Sequence, residues 1–154
     1  ANKIATTTWK VGGTSEIIYY LIPKTAYQYE VGSSASSTTY DAKIGLMYVT
    51  DYYYSASSSA WALVGYDSDY TKSYVSVKGE NWLYGGAEEW TISPYSKFNS
   101  GVFSVRDEGG VLTSDAKDTS IGLYGNGVRP SFYLLPSVTY VSGSGTFSDP
   151  IRIN

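Results

Sequence analysis

The stretch "NWLYGGAEEWTISPYS", Asn81 to Ser96, decides how the chain is read. It holds two adjacent carboxylates, two tryptophans, a Gly-Gly pair and a Ser-Pro step. If "AEEWTISP" is a strand, Glu88 and Glu89 point to opposite faces of it. They then cannot flank one glycosidic bond, as the paired acids of a glycosidase must. One of the two is expected to turn inward and pair with Arg129, the other to lie in solvent. A carboxylate buried beside an arginine is usually architectural, because breaking the pair strands a charge in the interior. Trp90 and Ile92 share a face and are expected in the core, where hiding the indole contributes about 3 kcal/mol or more. Trp90, Glu88 and Arg129 are therefore assigned structural roles.

Outward from that stretch, composition narrows the chemistry. The 154 residues suit one domain, spanning 1–154, around one core. Charged residues make up only 16%, so solubility rests on Ser, Thr, Asn, Gly and tyrosine hydroxyls. A net charge of -3 argues against a nucleic-acid partner, which demands a basic footprint. There is no cysteine and no histidine. Disulfides, thiol nucleophiles, Ser-His-Asp triads and imidazole metal ligands are thereby excluded. No apolar run is long enough to span a bilayer, so direct membrane insertion by this segment is not expected. The chain begins at Ala1 rather than Met and reads as a domain excised from a longer protein. Seventeen tyrosines exceed what a core ordinarily uses, since each buried hydroxyl needs a partner. About half are expected in packing and the rest on a Tyr/Ser-rich recognition surface.

Periodicity predicts many short strands and one or two short helices. "IATTTWKVGGTSEIIYYLI" reads as a hairpin, with Gly12-Gly13 in the turn and Ile17 to Ile22 returning until Pro23. "PKTAYQYEVG" suits a short helix with Thr25 as N-cap and Gly32 as stop. "KIGLMYV" reads as a strand. "TDYYYSASSS" then opens a second helix capped by Thr50 or Asp51, or extends the strand. "GVFSVRDEGGVLTS" is a hairpin turning at Arg106 to Gly110. "GVRPSFYLLPSVTYV" reads as a late core strand broken by Pro130 and Pro136. Asp67, Asp69 and Thr71 have the first spacings of a calcium loop. Lys72 and Lys78 stand where Gly and Glu belong, so no EF-hand forms; an ordinary Asp-rich turn and a looser calcium site both stay open. The sum is an α+β or mostly-β domain with long loops.

Three segments in order, "KIGLMYVTDYYYSA", "AEEWTISPYS…GVFSVRDEGGV" and "GNGVRPSFYLLPSVTYVSGSGTFSDPIRI", resemble C-type-lectin-like domains of the formylglycine-generating-enzyme type. They are most similar to a domain of unknown function in surface and prepilin-like proteins of Gram-positive bacteria. The resemblance covers roughly two thirds of the chain. It implies a C-type-lectin-like fold of many short antiparallel strands, with variable loops that often carry ligand, on an extracellular cell surface. The metal-dependent oxidation of the enzymatic branch needs cysteines, which are missing. The Glu-Pro-Asn calcium tripeptide of lectin branches is missing too.

Two loops are the expected ligand surface. "PYSKFNS" supplies Tyr95, Lys97, Phe98 and Asn99; "TSDAKDTSIGLYGN" supplies Asp115, Asp118, Tyr124 and Asn126. Aromatic and small polar residues suit sugar stacking or protein recognition. The expected function is a non-catalytic binding or adhesion module for a glycan or protein on another surface, with no cofactor and no metal. Alternatives are a structural or assembly domain whose tyrosines pack against neighbouring copies and, more remotely, a carboxylate-based glycosidase.

Overall fold

The computed structural model describes residues 3–12, 23–57, 80–97, 99–107, 109–116 and 125–154. Among them run β1 (Thr7–Lys10), α1 (Pro23–Glu30), β2 (Thr39–Ala42), β3 (Gly45–Leu46), α2 (Val49–Tyr54), β4 (Glu89–Pro94), β5 (Gly101–Val105), β6 (Val111–Asp115), β7 (Pro130–Ser131), β8 (Tyr140–Ser142) and β9 (Arg152–Ile153). The fold is mixed α+β, with two helices and small antiparallel sheets. One sheet has three strands in the order β4-β5-β6; β1-β2, β3-β7 and β8-β9 are two-stranded.

β1 alternates as its sequence demands, with Thr8 exposed and Trp9 buried. Its partner, however, is β2, with Trp9 opposite Tyr40, a pairing 31 residues away that the local Gly-Gly signal did not indicate. Residues 13–22, the expected return strand, lie outside the described residues. The Trp9 indole donates to the Ala42 carbonyl at 3.1 Å and packs on Tyr48 and Tyr133. A Cβ at Gly45 would stand 2.8 Å from that indole, so only glycine lets β3 pass there.

α1 begins at Pro23, not after Thr25, because proline is pre-set for a first turn whose N–H groups need no partner. The strand expected over "KIGLMYV" shrinks to Gly45–Leu46, since Val49 already starts α2. Tyr48 is the N-cap of α2; Asp51 sits in the first turn and its carboxylate accepts the Tyr48 N–H at 2.8 Å. The cap for the next two N–H groups comes from α1. Glu30, buried, accepts from Val49 N at 2.9 Å and Thr50 N at 3.0 Å, and from the Thr50 and Ser93 hydroxyls. A carboxylate meets the positive end of α2 and ties it to β4. Burial pushes the Glu30 carboxyl above its usual range despite those donors.

The core lies between α2 and the three-stranded sheet: Met47, Val49, Tyr52 and Tyr53 against Phe103, Val105 and Val111. Of the tyrosine triplet two rings are buried and Tyr54 is exposed. β4 alternates in the opposite phase to the one expected, which put Trp90 and Ile92 inside. Between the Trp90–Ser104 and Pro94–Val102 pairs, three β4 residues oppose one on β5. The insertion is a bulge, and the buried positions are Thr91, Ser93 and Tyr95; Trp90 and Ile92 are half-buried. Polar side chains hold these inner positions because each has a partner. Thr91 donates to the Phe103 carbonyl at 2.7 Å, and Ser93 serves Glu30.

The segment expected as a late core strand is also different. It breaks into two short pieces, Pro130–Ser131 paired with Gly45–Leu46 and Tyr140 onward in β8 paired with β9, and Phe132, Tyr133 and Leu134 between them are exposed. The prolines deny it ladder donors, which suits an edge rather than a centre.

Candidate functional site

The Glu-Glu pair sits where four segments meet. Gly127 bonds along the outer edge of β4: its N–H reaches the Glu88 carbonyl at 2.6 Å, and its carbonyl accepts the Trp90 N–H at 3.0 Å. This seats Arg129 beside Glu89. The guanidinium makes a two-pronged contact, Nε to Oε2 at 2.8 Å and Nη2 to Oε1 at 2.6 Å. Glu89 further raises the already high Arg129 pKa. Glu88 turns to the hairpin and meets Arg106 Nη2 at 2.9 Å. Each acid is thus matched to its own arginine, and the partner of Arg129 is Glu89, not Glu88. Both pairs are partly exposed, so each is worth less than a fully buried one.

The Gly-Gly of the opening stretch has a structural reason. A Cβ at Gly85 would lie 2.8 Å from Arg129 Nη2 and 3.0 Å from Glu89 Oε1, and Gly86 has φ +76°. Asn81 anchors the start of the stretch from a buried position. Its Nδ2 donates to the Tyr52 carbonyl at 2.8 Å, and its Oδ1 accepts Leu83 N at 2.9 Å and the Ser55 hydroxyl. Tyr84 donates to the Asp107 carbonyl and Tyr52 to the Gly109 carbonyl, the latter at 2.8 Å. The β5–β6 turn, where Gly109 takes φ +93°, is thereby pinned to α2.

The two expected ligand loops are only partly reproduced. Tyr95 is buried, its ring 5.5 Å from Phe103, so it belongs to the core and is closed to ligand. Its N–H closes the β4–β5 turn on the Gly101 carbonyl at 2.8 Å, which draws the side chain inward. Lys97 and Asn99 stand exposed in that turn. Asp115 is exposed at the end of β6. Asn126 is half-buried beside Gly127, and its Nδ2 is buried without a hydrogen-bond partner. Phe98, Asp118 and Tyr124 lie outside the described residues, as do Asp67, Asp69 and Thr71 of the calcium reading. Among the described residues no group of three or more acids is placed to hold a metal ion. No described helix is long and apolar enough to cross a membrane.

One surface residue was missed by the sequence reading. Trp82 is 79% exposed, while its own N–H is tied to the Ser55 carbonyl at 3.3 Å. Nearby in the chain, Glu80 accepts the Ser57 hydroxyl at 2.8 Å. Of the two tryptophans in the opening stretch, the outward platform is Trp82. Its neighbours Asn81 and Leu83 carry the signal in retrospect, since on an irregular turn the residue between two inward ones faces out.

Comparison with known proteins found no matching family model, no matching curated protein and no matching solved structure.

Proposed function

We propose that the chain is a non-catalytic binding or adhesion module of C-type-lectin-like type, working at an extracellular cell surface and recognising a glycan or a protein. The observation that carries this reading is Trp82, a large indole left in water on an anchored backbone. An exposed indole offers a flat, apolar face with little conformational freedom to lose, as rigid paratope aromatics do. The Glu80 carboxylate, two residues from Trp82 and hydrogen-bonded to the Ser57 hydroxyl, suits hydroxyl-bearing ligands such as sugars. Lys97 and Asn99 add an exposed polar turn. The arginine partners of Glu88 and Glu89 support a scaffolding role for both acids, with no general acid or base among them.

A glycan and surface-protein array probed with wild type and Trp82→Ala tests the proposal. Specific spots that fade with Trp82→Ala are expected. Equal signals from both proteins, or no specific spot, would overturn it.

A further inference from the structure

The backbone at Trp82 is one rung of a short antiparallel ladder. The Trp82 N–H reaches the Ser55 carbonyl at 3.3 Å, Ala56 pairs with Asn81, and the Ser57 hydroxyl reaches Glu80 at 2.8 Å. Ala56 and Asn81, the middle rung, are buried. Glu80 and Trp82, on either side of Asn81, are both exposed. Two residues of chain span at most about 7 Å, so the carboxylate and the indole belong to one small patch. The Asn81 side chain anchors that patch through its bonds to the Tyr52 carbonyl and the Leu83 N–H.

The charge of the patch is one-sided. Glu88, Glu89 and Asp149 each meet an arginine. Among the described residues no cation lies within ion-pair distance of Glu80, whose hydrogen-bond partner there is the neutral Ser57. Nor does a second ring pack on Trp82 among the described residues. The ring contacts there join Trp9 to Tyr48 and Tyr133, and Tyr95 to Phe103. The whole chain carries a net charge of -3. An indole face attracts a cation through its quadrupole, and a nearby carboxylate attracts the same cation through its charge. The same carboxylate repels a uronate, a sulfate or a phosphate.

We propose that the Trp82–Glu80 patch takes a glycan bearing free ammonium groups, an amino-sugar chain without its N-acyl caps. This narrows the glycan reading given above and rests on it. The sugar ring lays a flat C–H face on the indole, and its ammonium turns to the unmatched Glu80 charge. A lysine side chain of a protein partner fits less well. Trp82 is a single open plate, whereas a lone ammonium is held best inside a cage of several rings. The lysine stem also gives up rotamer freedom on binding, which a rigid pyranose does not.

Calorimetric titration tests the proposal with oligomers of equal length: a glucosamine oligomer, the same oligomer N-acetylated, and a neutral glucose oligomer. Each is titrated into wild type, Glu80→Gln and Trp82→Ala. Both side chains are exposed, so neither change disturbs folding. Wild type is expected to bind the glucosamine oligomer about threefold to tenfold tighter than its acetylated form, a preference that added salt weakens. Glu80→Gln is expected to erase most of that preference and leave the acetylated form bound as before. Trp82→Ala is expected to weaken all of them at least about tenfold. Equal affinity of wild type for the charged and neutral oligomers, with both lost in Trp82→Ala, overturns the proposal and leaves the glycan reading standing. A glucosamine preference that survives in Trp82→Ala overturns it as well, because the attraction would then be diffuse charge. So does Trp82-dependent binding of a lysine-rich peptide but of no oligomer, which assigns the patch to a protein partner. No Trp82-dependent binding of any probe removes both the proposal and the reading beneath it.

Discussion

Replacing Glu30 by Gln isolates the buried link between the two helices and the sheet. The carboxylate accepts from two backbone N–H groups and two hydroxyls. Gln keeps one acceptor oxygen and puts an NH2 where the other stood. Either Val49 or Thr50 N–H then faces a donor, and a buried unsatisfied donor costs about 1–3 kcal/mol. We expect a loss of about 2 kcal/mol, which for a chain of this length lowers the melting temperature by about 4–8 °C. The pH profile carries a second signature. Burial raises the folded-state pKa of Glu30 above its ordinary value, so the native state holds that proton more tightly than the unfolded chain does. The stabilisation from that proton is complete below the ordinary carboxylate value near 4.5 and is lost as pH rises through the raised one. Wild-type stability should therefore slope downward across that window, and the slope should flatten in Glu30→Gln. Thermal melts of both proteins at a series of pH values measure it. Equal stability at every pH would refute the claim that Glu30 caps α2.

Other substitutions test neighbouring parts of the argument. Tyr52→Phe removes a buried hydrogen bond to Gly109 and should cost about 1 kcal/mol in a denaturant titration. Tyr53→Phe, at the next position, removes a buried hydroxyl that has no partner and should be neutral or stabilising. Gly101→Ala would press a Cβ to 2.6 Å from the Tyr95 carbonyl and should cost about 1–3 kcal/mol, since backbone must move. Gly85→Ala meets the mobile end of Arg129 and should cost less, about 1 kcal/mol, because the side chain can step aside.

Local signals in the sequence served well where structure is local. The β5–β6 hairpin turns over Arg106 to Gly110 as its Asp-Glu-Gly-Gly run demands, and Trp9 alternates with exposed Thr8. Both helices fall close to their Pro, Asp and Gly punctuation. What escaped is non-local. Glu30, at the end of a polar helix, looks like a solvated charge until α2 and Ser93 are brought to it. β4 alternates as a strand should, but its inner face carries Thr91, Ser93 and Tyr95 rather than Trp90 and Ile92, because the small polar residues find partners inside, and hydrophobicity alone picks the opposite phase. The C-terminal segment is apolar enough to read as core yet lies exposed, because composition alone does not distinguish a hidden face from an open one.

The central claim is that the paired carboxylates hold the fold while exposed aromatics do the recognising. A double variant, Glu88→Gln/Glu89→Gln, tests it most directly when its denaturant stability and its array binding are measured on the same sample below its melting temperature. The account predicts a loss of about 2 kcal/mol with the Trp82-dependent spots unchanged. Full stability combined with abolished binding, or with lost turnover of a glycan on the array, would contradict it.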